Sequence, residues 1–260
     1  MLVLERQREI AKIVNQKGSV RVAELSQMFN VTVETIRKDL DVLEEEGKLR
    51  RSHGGALKIN TEQSEIPYFE REIINVHEKM EIAAEAIKLI SPGDQIILDT
   101  SSTAWFMARS MPNIPMTILT NSVKVITELA DKEKIAVIAI GGDLAPRSMS
   151  FVGPLAERSL DMYHVSKAFI SCKGLHLKHG PTESNEQQAI VKRKMIEIAD
   201  ECYLLVDHSK FDFQSFTNIC GLERITMIVT DSKIDAQHVN ALKQCQVRVA
   251  QIDTVDASED

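Results

Sequence analysis

From residue 95 onward, short apolar segments alternate with segments of helical periodicity, and this alternation most restricts how the chain can fold. The segments 95–99, 116–120 and 135–140 are typical of buried strands, with helices predicted between them at 102–111 and 122–131. Further strands are predicted at 167–171, 202–206, 226–229 and 247–251, and further helices at 186–199 and 235–244. Such alternation predicts a larger α/β domain with a mostly parallel sheet flanked by helices.

Small and hydrogen-bonding residues follow the predicted strands where each one ends. In an open parallel sheet the carboxyl ends of the strands form the ligand crevice, and the Ser-Ser-Thr turn after the first strand opens a helix whose N–H groups favour an anion. A phosphorylated, polyhydroxylated ligand fits both features. The candidate effector-binding residues are Asp99, Ser101, Ser102, Thr103, Asn121, Ser122, Gly141, Gly142, Lys173, Glu183 and Lys210. Alternatively, each exit is only a cap or turn, and Glu183 is an acid that stabilises a helix N-terminus.

The first 58 residues are organised differently, as three helical segments and a basic hairpin. Apolar spacing predicts a first helix ending near Lys17, a second around 23–29 and a third that Thr32 caps and Gly47 ends. Residues 48–58 contain four basic residues and no acidic one, and they predict a small hairpin. This order favours a winged helix-turn-helix that places its third helix in the major groove of DNA. A three-helix protein-interaction module is the alternative.

The charge distribution separates the two regions. The net charge of the whole chain is −7, and phosphate repels an acidic surface. Residues 1–60, however, contain 11 Lys and Arg against 9 Asp and Glu, so their net charge is +2 and that of the other 200 residues is −9. DNA binding is therefore expected of the N-terminal region alone.

These patterns predict a DNA-binding domain at 1–58, a polar linker at 59–77, an effector domain at 78–252 and an acidic tail at 253–260. The longest apolar run, 135–140, is far shorter than the roughly 20 residues that cross a bilayer. With no secretory signal pattern at the start, a cytoplasmic protein without a membrane partner is expected. Four scattered cysteines without a C-x-x-C pair indicate neither a disulfide framework nor zinc, and no cofactor or metal is expected.

Four motifs in the N-terminal region resemble the DNA-binding signature of the DeoR/GlpR family of bacterial repressors. They are Val-Ala-Glu-Leu at 22–25, Thr-Ile-Arg-Lys-Asp-Leu at 35–40, Leu-Glu at 43–44 and Arg-Ser-His-Gly-Gly-Ala at 51–56. The resemblance implies that Thr35, Arg37 and Lys38 contact operator DNA, supported by Arg51 and His53 from the wing. With their neighbours, the candidate DNA-binding residues are Thr32, Glu34, Thr35, Arg37, Lys38, Arg50, Arg51 and His53.

The larger region is similar to the effector domain of the same family, which is related in fold to ribose-5-phosphate isomerase and similar CoA-transferase-like proteins. The matches are Leu98-Asp99-x-x-Ser102-Thr103, Thr-Asn-Ser at 120–122, Gly141-Gly142 and Asp207-x-Ser209-Lys210. The resemblance implies a repressor of a carbohydrate-catabolism operon that a phosphorylated sugar releases from its operator, and rhamnulose 1-phosphate is one candidate effector. Symmetric DNA sites favour a homodimer or homotetramer.

Two other functions remain open, a sugar-phosphate isomerase with an appended DNA module and a DNA-associated structural protein without a ligand. Where relatives tend to have Gly-Ala-Asp-Gly-Ile-Asp after a strand, this chain has Ser-Cys-Lys-Gly-Leu-His at 171–176. Isomerisation needs a general base, commonly a carboxylate, so no catalytic residue and no enzyme activity are expected. Lys173 and His176 become candidates for contacting an anion. The sequence names neither the operator nor the effector, and it leaves open whether some promoters are activated.

Overall fold

The computed structural model describes residues 3–46, 48–52, 54–57 and 65–252, with the backbone alone described at 15, 16 and 50. The chain divides into two compact units, a small unit over Met1–Ser64 and a large unit over Glu65–Asp260. Each unit buries apolar clusters of its own.

The small unit contains the three predicted helices. They are α1 (Val3–Lys17), α2 (Val22–Phe29) and α3 (Val33–Glu45). Asn30 ends α2 in the left-handed conformation (φ 50°), and Thr32 caps α3 by accepting a hydrogen bond from the Thr35 N–H at 3.2 Å. This tight connection holds the helices together around one buried cluster, which includes Ile10, Val14, Leu25, Ile36, Leu40 and Leu43.

A small antiparallel sheet contains the predicted hairpin and one strand that the sequence did not indicate. Its strands are β1 (Ser19–Arg21), β2 (Arg50–Ser52) and β3 (Gly55–Leu57), in the order β1-β3-β2. Gly55 has no room for a side chain, because a Cβ there would lie 2.4 Å from the carbonyl oxygen of Val20. Strand β1 thereby anchors the hairpin beside the helices, and with three residues it is too short for alternation to reveal.

A buried ion pair joins α1 to α3. Arg6 donates to the Asp39 carboxylate from Nε at 2.6 Å and from Nη2 at 3.2 Å, and Gln7 donates to the same carboxylate at 3.1 Å. The hydrogen bond with Asp39 raises the pKa of Arg6 above its usual range, against the opposing effect of burial. Three donors on one carboxylate fix the position of α3 against α1.

The large unit is built on a seven-stranded sheet, and every pair of neighbours in it is parallel, which confirms the predicted α/β fold. The strands of the unit are β4 (Gln95–Leu98), β5 (Met116–Thr120), β6 (Ile135–Ala139), β7 (Asp143–Ala145), β8 (Ser150–Val152), β9 (Val165–Ile170), β10 (Gly174–His176), β11 (Gly180–Glu183), β12 (Ala199–Leu205), β13 (Thr217–Asn218), β14 (Met227–Thr230) and β15 (Arg248–Gln251). Its helices are α4 (Tyr68–Arg71), α5 (Val76–Ile87), α6 (Ser102–Ser110), α7 (Val123–Leu129), α8 (Pro154–Leu160), α9 (Glu186–Glu197) and α10 (Ala236–Gln244).

Both faces of this sheet are buried, because successive side chains of its central strands enter different apolar clusters. Ile96 and Leu98 pack into one cluster and Ile97 into the other. In β9, Phe169 joins the first cluster and stacks on Tyr203, with ring centroids 5.0 Å apart. This explains why the strands are read from the sequence as continuous apolar runs.

The order of the strands reverses once. The sheet runs β15-β14-β12-β9-β4-β5-β6, so the chain proceeds from β4 outward to β6 and then returns to β9 on the other side of β4. In open α/β sheets the ligand crevice lies at such a switch point, outside the carboxyl ends of the two strands. Two smaller sheets, β7-β8 and β10-β11-β13, were not predicted.

The structure departs from the expected linker at 59–77. Residues 58–64 lie outside the described residues, but residues 65–77 belong to the large unit and contain α4 and the start of α5. Tyr68 is fully buried there. Its apolar neighbours Phe69, Ile73 and Ile74 are exposed, so burial in this segment follows no helical period and the short helix could not be predicted.

No helix among the described residues is long and apolar enough to cross a membrane. Within the same part of the chain, no group of three or more His, Cys, Asp and Glu side chains is placed to hold a metal ion.

Replacing Arg6 by Met is expected to destabilise the small unit by about 3 kcal/mol, because Asp39 would keep its buried charge without its main partner. Hydrogen–deuterium exchange of the full-length protein, followed on peptides from α1 and α3, measures the loss. Lys17→Met is the matched control, since its ion pair with Glu24 (2.7 Å) is exposed. Equal exchange rates in the two variants would contradict the role of the Arg6–Asp39 pair.

Candidate nucleic-acid interface and effector site

The first turns of α3 present exposed polar side chains on the side away from the apolar cluster. Thr32 caps the helix, and its hydroxyl lies 2.9 Å from that of Thr35. Arg37 and Glu34 form an ion pair at 3.4 Å, and Lys38 is also exposed on this helix. The structure therefore brings the predicted residues of α3 onto one accessible surface at the N-terminal end of the helix.

The wing is attached to α3 through Arg51. Its guanidinium forms an ion pair with the Asp41 carboxylate and donates to the Arg37 carbonyl at 3.1 Å. The Arg51 backbone N–H donates to Glu44 Oε1 at 2.7 Å. Arg51 thus has partners within the unit, whereas the sequence suggested only a contact with DNA. Arg50 is in strand β2, and His53 lies outside the described residues.

In the large unit, Asp99 connects the ends of the two strands at the switch point. Its Oδ1 accepts a hydrogen bond from the Ser101 N–H and its Oδ2 accepts one from the Ser171 N–H, both at 2.9 Å. Asp99 directly follows β4, and Ser171 directly follows β9. The carboxylate therefore lies at the carboxyl edge of the sheet, where the sequence placed it.

Lys192 of α9 neutralises this carboxylate and was missed by the sequence reasoning. Its ammonium lies 3.1 Å from Asp99 Oδ2, contacts the Glu183 carboxylate and donates to the Ser171 carbonyl at 2.7 Å. Burial alone would lower the pKa of Lys192, but Glu183 and Asp99 raise it above its usual range, so the side chain keeps its charge. Gln188, Lys192 and Ile196 are buried on α9 at four-residue spacing. Because Gln188 and Lys192 are polar, a reading of apolar periodicity assigns both to the surface.

Several of the predicted effector residues cap helices. Ser101 accepts from the Ala104 N–H at 3.0 Å and begins α6, and Ser122 accepts from the Val125 N–H at 3.3 Å and begins α7. Ser102 and Thr103 are buried in the first turn of α6. The Asn121 Nδ2 donates to the Phe151 carbonyl at 2.8 Å. Ser101 and Ser122 therefore have the capping role that the sequence left as an alternative.

The other predicted residues are spread along the same edge. Gly141 and Gly142 follow β6, and a Cβ at Gly142 (φ 145°) would lie 2.6 Å from the Val152 carbonyl oxygen, so close packing requires this glycine. Lys173 follows β9, and its N–H donates to the Thr182 carbonyl at 2.9 Å. Lys210 is half-buried in the turn after β12.

Asp207, in the same turn as Lys210, is held as a carboxylate by its neighbours. It accepts from the Ser209 N–H at 3.0 Å, from the Ser209 hydroxyl and from Asn75 Nδ2 at 3.1 Å. Burial by itself would raise the pKa of Asp207, but the charge of Lys210 and the bonds from Ser209 hold it below its usual range. The contact with Asn75 joins the end of β12 to the segment that precedes α5.

We call this segment, residues 65–75, the strap. Its contacts are spread along the carboxyl edge of the sheet. Near its start the Tyr68 N–H donates to the Arg147 carbonyl at 2.8 Å. In its middle, Glu72 pairs with Lys124 of α7 at 3.2 Å. At its end, Asn75 reaches Asp207. The sequence reasoning missed the whole strap.

Lys79 of α5 holds the strap in place through two of the strap's backbone carbonyls. Its ammonium donates to the carbonyls of Arg71 and Ile74, the second at 2.6 Å. Burial lowers the pKa of Lys79 to about 8, although Asp207 acts in the opposite direction.

Seven side chains of the unit contain buried polar atoms without a hydrogen-bond partner among the described residues. These atoms are Tyr68 Oη, Arg71 Nε and Nη2, Glu72 Oε2, Asn121 Oδ1, Gln188 Oε1, Ser215 Oγ and Thr230 Oγ1. Tyr68 and Arg71 belong to the strap, and Asn121 follows β5. Gln188 lies on the first turn of α9, where its Nε2 donates to the hydroxyls of Ser148 and Ser150. Unsatisfied buried polar atoms are rare in folded proteins, so each of these atoms calls for a partner such as an ordered water or a ligand.

The comparisons with known proteins cover both units. Residues 6–62 match the DeoR-like helix-turn-helix domain, and residues 74–232 match the DeoR C terminal sensor domain. Together with the polar surface of α3, these matches define a DNA-binding transcriptional regulator with a sensor domain. The chain belongs to the DeoR family, which confirms the resemblance found in the sequence.

Relatives match over nearly their whole length. An uncharacterized HTH-type transcriptional regulator of Bacillus subtilis, YulB, is 51% identical over 97% of this chain and 98% of its own length. The L-fucose operon activator of Haemophilus influenzae is 38% identical over 91% of this chain and 94% of its own. The lactose phosphotransferase system repressor of Staphylococcus aureus is 34% identical over 92% and 96%, respectively.

Similar solved structures include ribose 5-phosphate isomerase A of Methanocaldococcus jannaschii, with a TM-score of 0.40 and 22% identity over 53% of this chain and 55% of that chain. Another is eIF2B delta of Chaetomium thermophilum, with a TM-score of 0.45 and 14% identity over 76% of this chain and 63% of that one.

Lys38→Ala and Arg51→Ala are expected to weaken DNA binding in different ways. Loss of Lys38 removes an exposed donor of α3 and should relax base preference at one position of the binding site, by about 1–3 kcal/mol. Loss of Arg51 loosens the wing from α3 and should weaken binding to all duplexes alike, with a salt slope lower by about 1.

The measurement is a set of binding isotherms across salt concentration, using a duplex selected from a random pool and its single-base variants. Lys12→Ala, on the exposed surface of α1, is the control. If the Lys38 and Arg51 variants changed base preference and salt slope in the same way, the assignment would be wrong.

Lys79→Met is expected to remove a pH-dependent part of the stability of the large unit. The pKa of Lys79 is about 8 in the folded protein and 10.5 as an ordinary lysine. Below pH 8 Lys79 is protonated in both the folded and the unfolded protein, so the folded protein bears the full free-energy cost of burying the charge. Above it the folded state releases the proton first, so the free energy of unfolding rises with pH toward 10.5.

Thermal unfolding of the wild type and Lys79→Met at about pH 7.5, 9 and 10 measures this linkage. The difference in unfolding free energy should move in favour of the wild type as pH rises. Lysines with raised pKa values, such as Lys233, are present in both proteins and cancel in the difference. A difference that stayed constant with pH would show that Lys79 titrates normally.

Proposed function

We propose that this protein represses a carbohydrate-catabolism operon and leaves its operator when a phosphorylated sugar binds at the carboxyl edge of the large sheet. The observation that carries the proposal is the buried charged cluster of Asp99, Lys192 and Glu183 at the switch point between β4 and β9, together with buried polar atoms, such as Asn121 Oδ1, that lack a partner among the described residues. Cationic groups at this edge, among them Lys210 and Arg71, match a phosphate, and polar groups such as Asn121 match sugar hydroxyls. Two relatives are named for the L-fucose operon and the lactose phosphotransferase system, which supports a sugar-related signal.

DNA binding is assigned to the first turns of α3 together with the wing. The proposed contacts are those of the sequence analysis: Thr32, Glu34, Thr35, Arg37, Lys38, Arg50, Arg51 and His53. Arg51 has the additional role of holding the wing against α3 through Asp41. Operators of helix-turn-helix proteins are usually symmetric, so the proposed assembly is a homodimer or homotetramer acting in the cytoplasm.

The effector contacts are proposed along the strand exits, and the protein is proposed to have no enzymatic activity. The residues are Asp99, Ser101, Ser102, Thr103, Asn121, Ser122, Gly141, Gly142, Lys173, Glu183 and Lys210. Asp99 and Glu183 are the carboxylates nearest the switch point, and both are paired with Lys192. A carboxylate that neutralises a buried ammonium is poorly placed to accept a substrate proton, which argues against isomerisation at this position.

Among pentose and hexose phosphates, at least one is expected to weaken operator binding tenfold or more, corresponding to about 1.4 kcal/mol of coupling. Fluorescence anisotropy of a labelled operator, titrated with each sugar phosphate, measures the effect. Lys210→Ala should reduce the response, because it removes a cation of the β12 exit that is proposed to contact the phosphate.

Lys134→Ala is the matched control, since Lys134 is exposed and precedes β6 at the opposite edge of the sheet. If none of the sugar phosphates changed the operator affinity of the wild type, the proposed effector class would be refuted. Turnover of any sugar phosphate in the same samples would restore the enzyme alternative.

A further inference from the structure

Several of the proposed effector residues at the carboxyl edge of the sheet are covered in this structure. Asp99 and Ser122 have no exposed surface, Asn121 is 1% exposed and Ser102 is 4% exposed. A sugar phosphate can contact such groups only after they are uncovered, because a closely packed interior has no room for a ligand to pass. A segment that covers this edge must therefore move when a ligand enters or leaves.

The strap and the hairpin of β7 and β8 both lie at this edge, and they are attached to it differently. The hairpin is tied to the exit of β5 by two hydrogen bonds between Asn121 and Phe151, one of them between backbone groups at 2.9 Å. Among the described residues, the strap has a single backbone hydrogen bond to an element other than α5, from the Tyr68 N–H to the Arg147 carbonyl. Its other hydrogen bonds to the unit are made through side chains, so the strap is the segment that separates from the edge more easily.

The strap crosses the strand ends at the switch point. On one side Glu72 pairs with Lys124, which follows the exit of β5, and on the other side Asn75 donates to Asp207 at the exit of β12. The sheet order β12-β9-β4-β5 places β9 and β4 between these two contacts. The middle of the strap therefore covers the ends of β9 and β4, where Asp99 lies.

Lys124 of α7 holds this middle part through an ion pair and an aromatic cage. Its ammonium lies 3.2 Å from Glu72 Oε2 and 5.4, 5.3 and 5.4 Å from the ring centroids of Tyr68, Phe69 and Trp105, respectively. A cation within about 6 Å of a ring centroid is attracted by the face of the ring. Tyr68, Phe69 and Glu72 belong to the strap, whereas Trp105 belongs to α6, so one ammonium joins the strap to α6 and α7.

The two sides of this cage differ in how firmly they are held. Trp105 Nε1 donates to Glu128 of α7 at 2.9 Å, and the Arg109 guanidinium carbon lies 5.6 Å from the centroid of the Trp105 ring. Phe69, on the strap side, is 55% exposed. Opening of the strap therefore breaks the contacts of Lys124 with the strap and leaves its contact with Trp105 in place.

We propose that Lys124 is a positioning residue that latches the strap over the effector site, and that the strap opens at this latch to admit and release the ligand. The inference rests on the proposed function and gives a gating role to a segment that was expected to be a linker. Lys124 holds the strap in the same way in the empty and in the occupied closed state. It therefore controls the rates at which a ligand enters and leaves, and it has little effect on affinity.

The first test is hydrogen–deuterium exchange of the full-length protein without a ligand. In Lys124→Ala the strap amides should exchange faster by about tenfold or more, because they exchange whenever the strap is open. Lys124→Arg keeps a cation that can lie over the rings and should stay within about threefold of the wild type. A merely structural role of Lys124 would also speed exchange in α7, which contains it.

Lys134→Ala is the matched control, since Lys134 is exposed and precedes β6. Glu72→Gln weakens the latch from the strap side and should speed strap exchange by about threefold or more. This variant keeps the test decisive if Lys124→Ala does not fold.

The second test measures ligand kinetics through Trp105, the only tryptophan of the chain, which lies in the latch. The protein is mixed rapidly with fructose 1-phosphate, glucose 6-phosphate or rhamnulose 1-phosphate. In the wild type the observed rate constant should level off as the ligand concentration rises, because opening limits entry. Lys124→Ala should raise this limiting rate and the dissociation rate by about tenfold each, while Kd stays within about threefold.

Unchanged strap exchange in a folded Lys124→Ala variant, or a change in Kd without a change in the two rates, overturns this inference and leaves the proposed function in place. If none of the three phosphates binds the wild type, the proposed effector class is wrong. The exchange measurement then decides by itself whether Lys124 latches the strap.

Discussion

The reversal of strand order between β4 and β9 is the constraint on which the arrangement of the large unit depends. Where the chain changes direction across a parallel sheet, no crossover helix covers the carboxyl ends of the two central strands. The backbone N–H groups at those ends need other partners, and Asp99 supplies them through Ser101 and Ser171. A carboxylate buried for this purpose needs a cation, and Lys192 of α9 provides it. The charged centre is thus a direct consequence of the topology.

A buried ion cluster of this kind is weak evidence for stability, because desolvation of the charges offsets most of their attraction. The cluster instead fixes the relative positions of the helix and strands that contribute to it. Lys192 is bonded to groups after β4, after β9 and on β11, so α9 and three strands share one reference point. The strap is held at the same edge by Lys124 and Asp207. Groups that approach a ligand from separate elements are therefore fixed relative to one another before it binds, which lowers the entropic cost of binding.

Most of the fold could be predicted from the sequence because its signals are local. The apolar runs of β4, β5 and β6 and the cap of α3 by Thr32 are properties of a few neighbouring residues. The strap, Lys192 and β1 could not be predicted, because each is defined by contacts with distant parts of the chain. Lys192 looks like a surface lysine until Asp99 and Glu183 are placed beside it, and Tyr68 is buried while the apolar residues near it, Phe69 and Ile73, are exposed. The sequence correctly placed the residues that follow the strands at one edge of the sheet. It could not distinguish a residue that caps a helix from one that contacts a ligand, because both roles use the same small polar residue types.

A ligand can change DNA affinity only if it binds two states of the protein with different affinity. In this chain the strap begins at Glu65, the first residue of the large unit, and two hydrogen bonds, from Arg147 and Asn185, fix that residue. The Arg147 carbonyl also accepts from the Tyr68 N–H, and Asn185 begins the helix of Lys192, so the start of the strap is joined through α9 to the charged cluster at the carboxyl edge. Each such bond contributes about 1 kcal/mol. The gain or loss of one or two of them would therefore be of the same size as the coupling that a tenfold change in operator affinity requires.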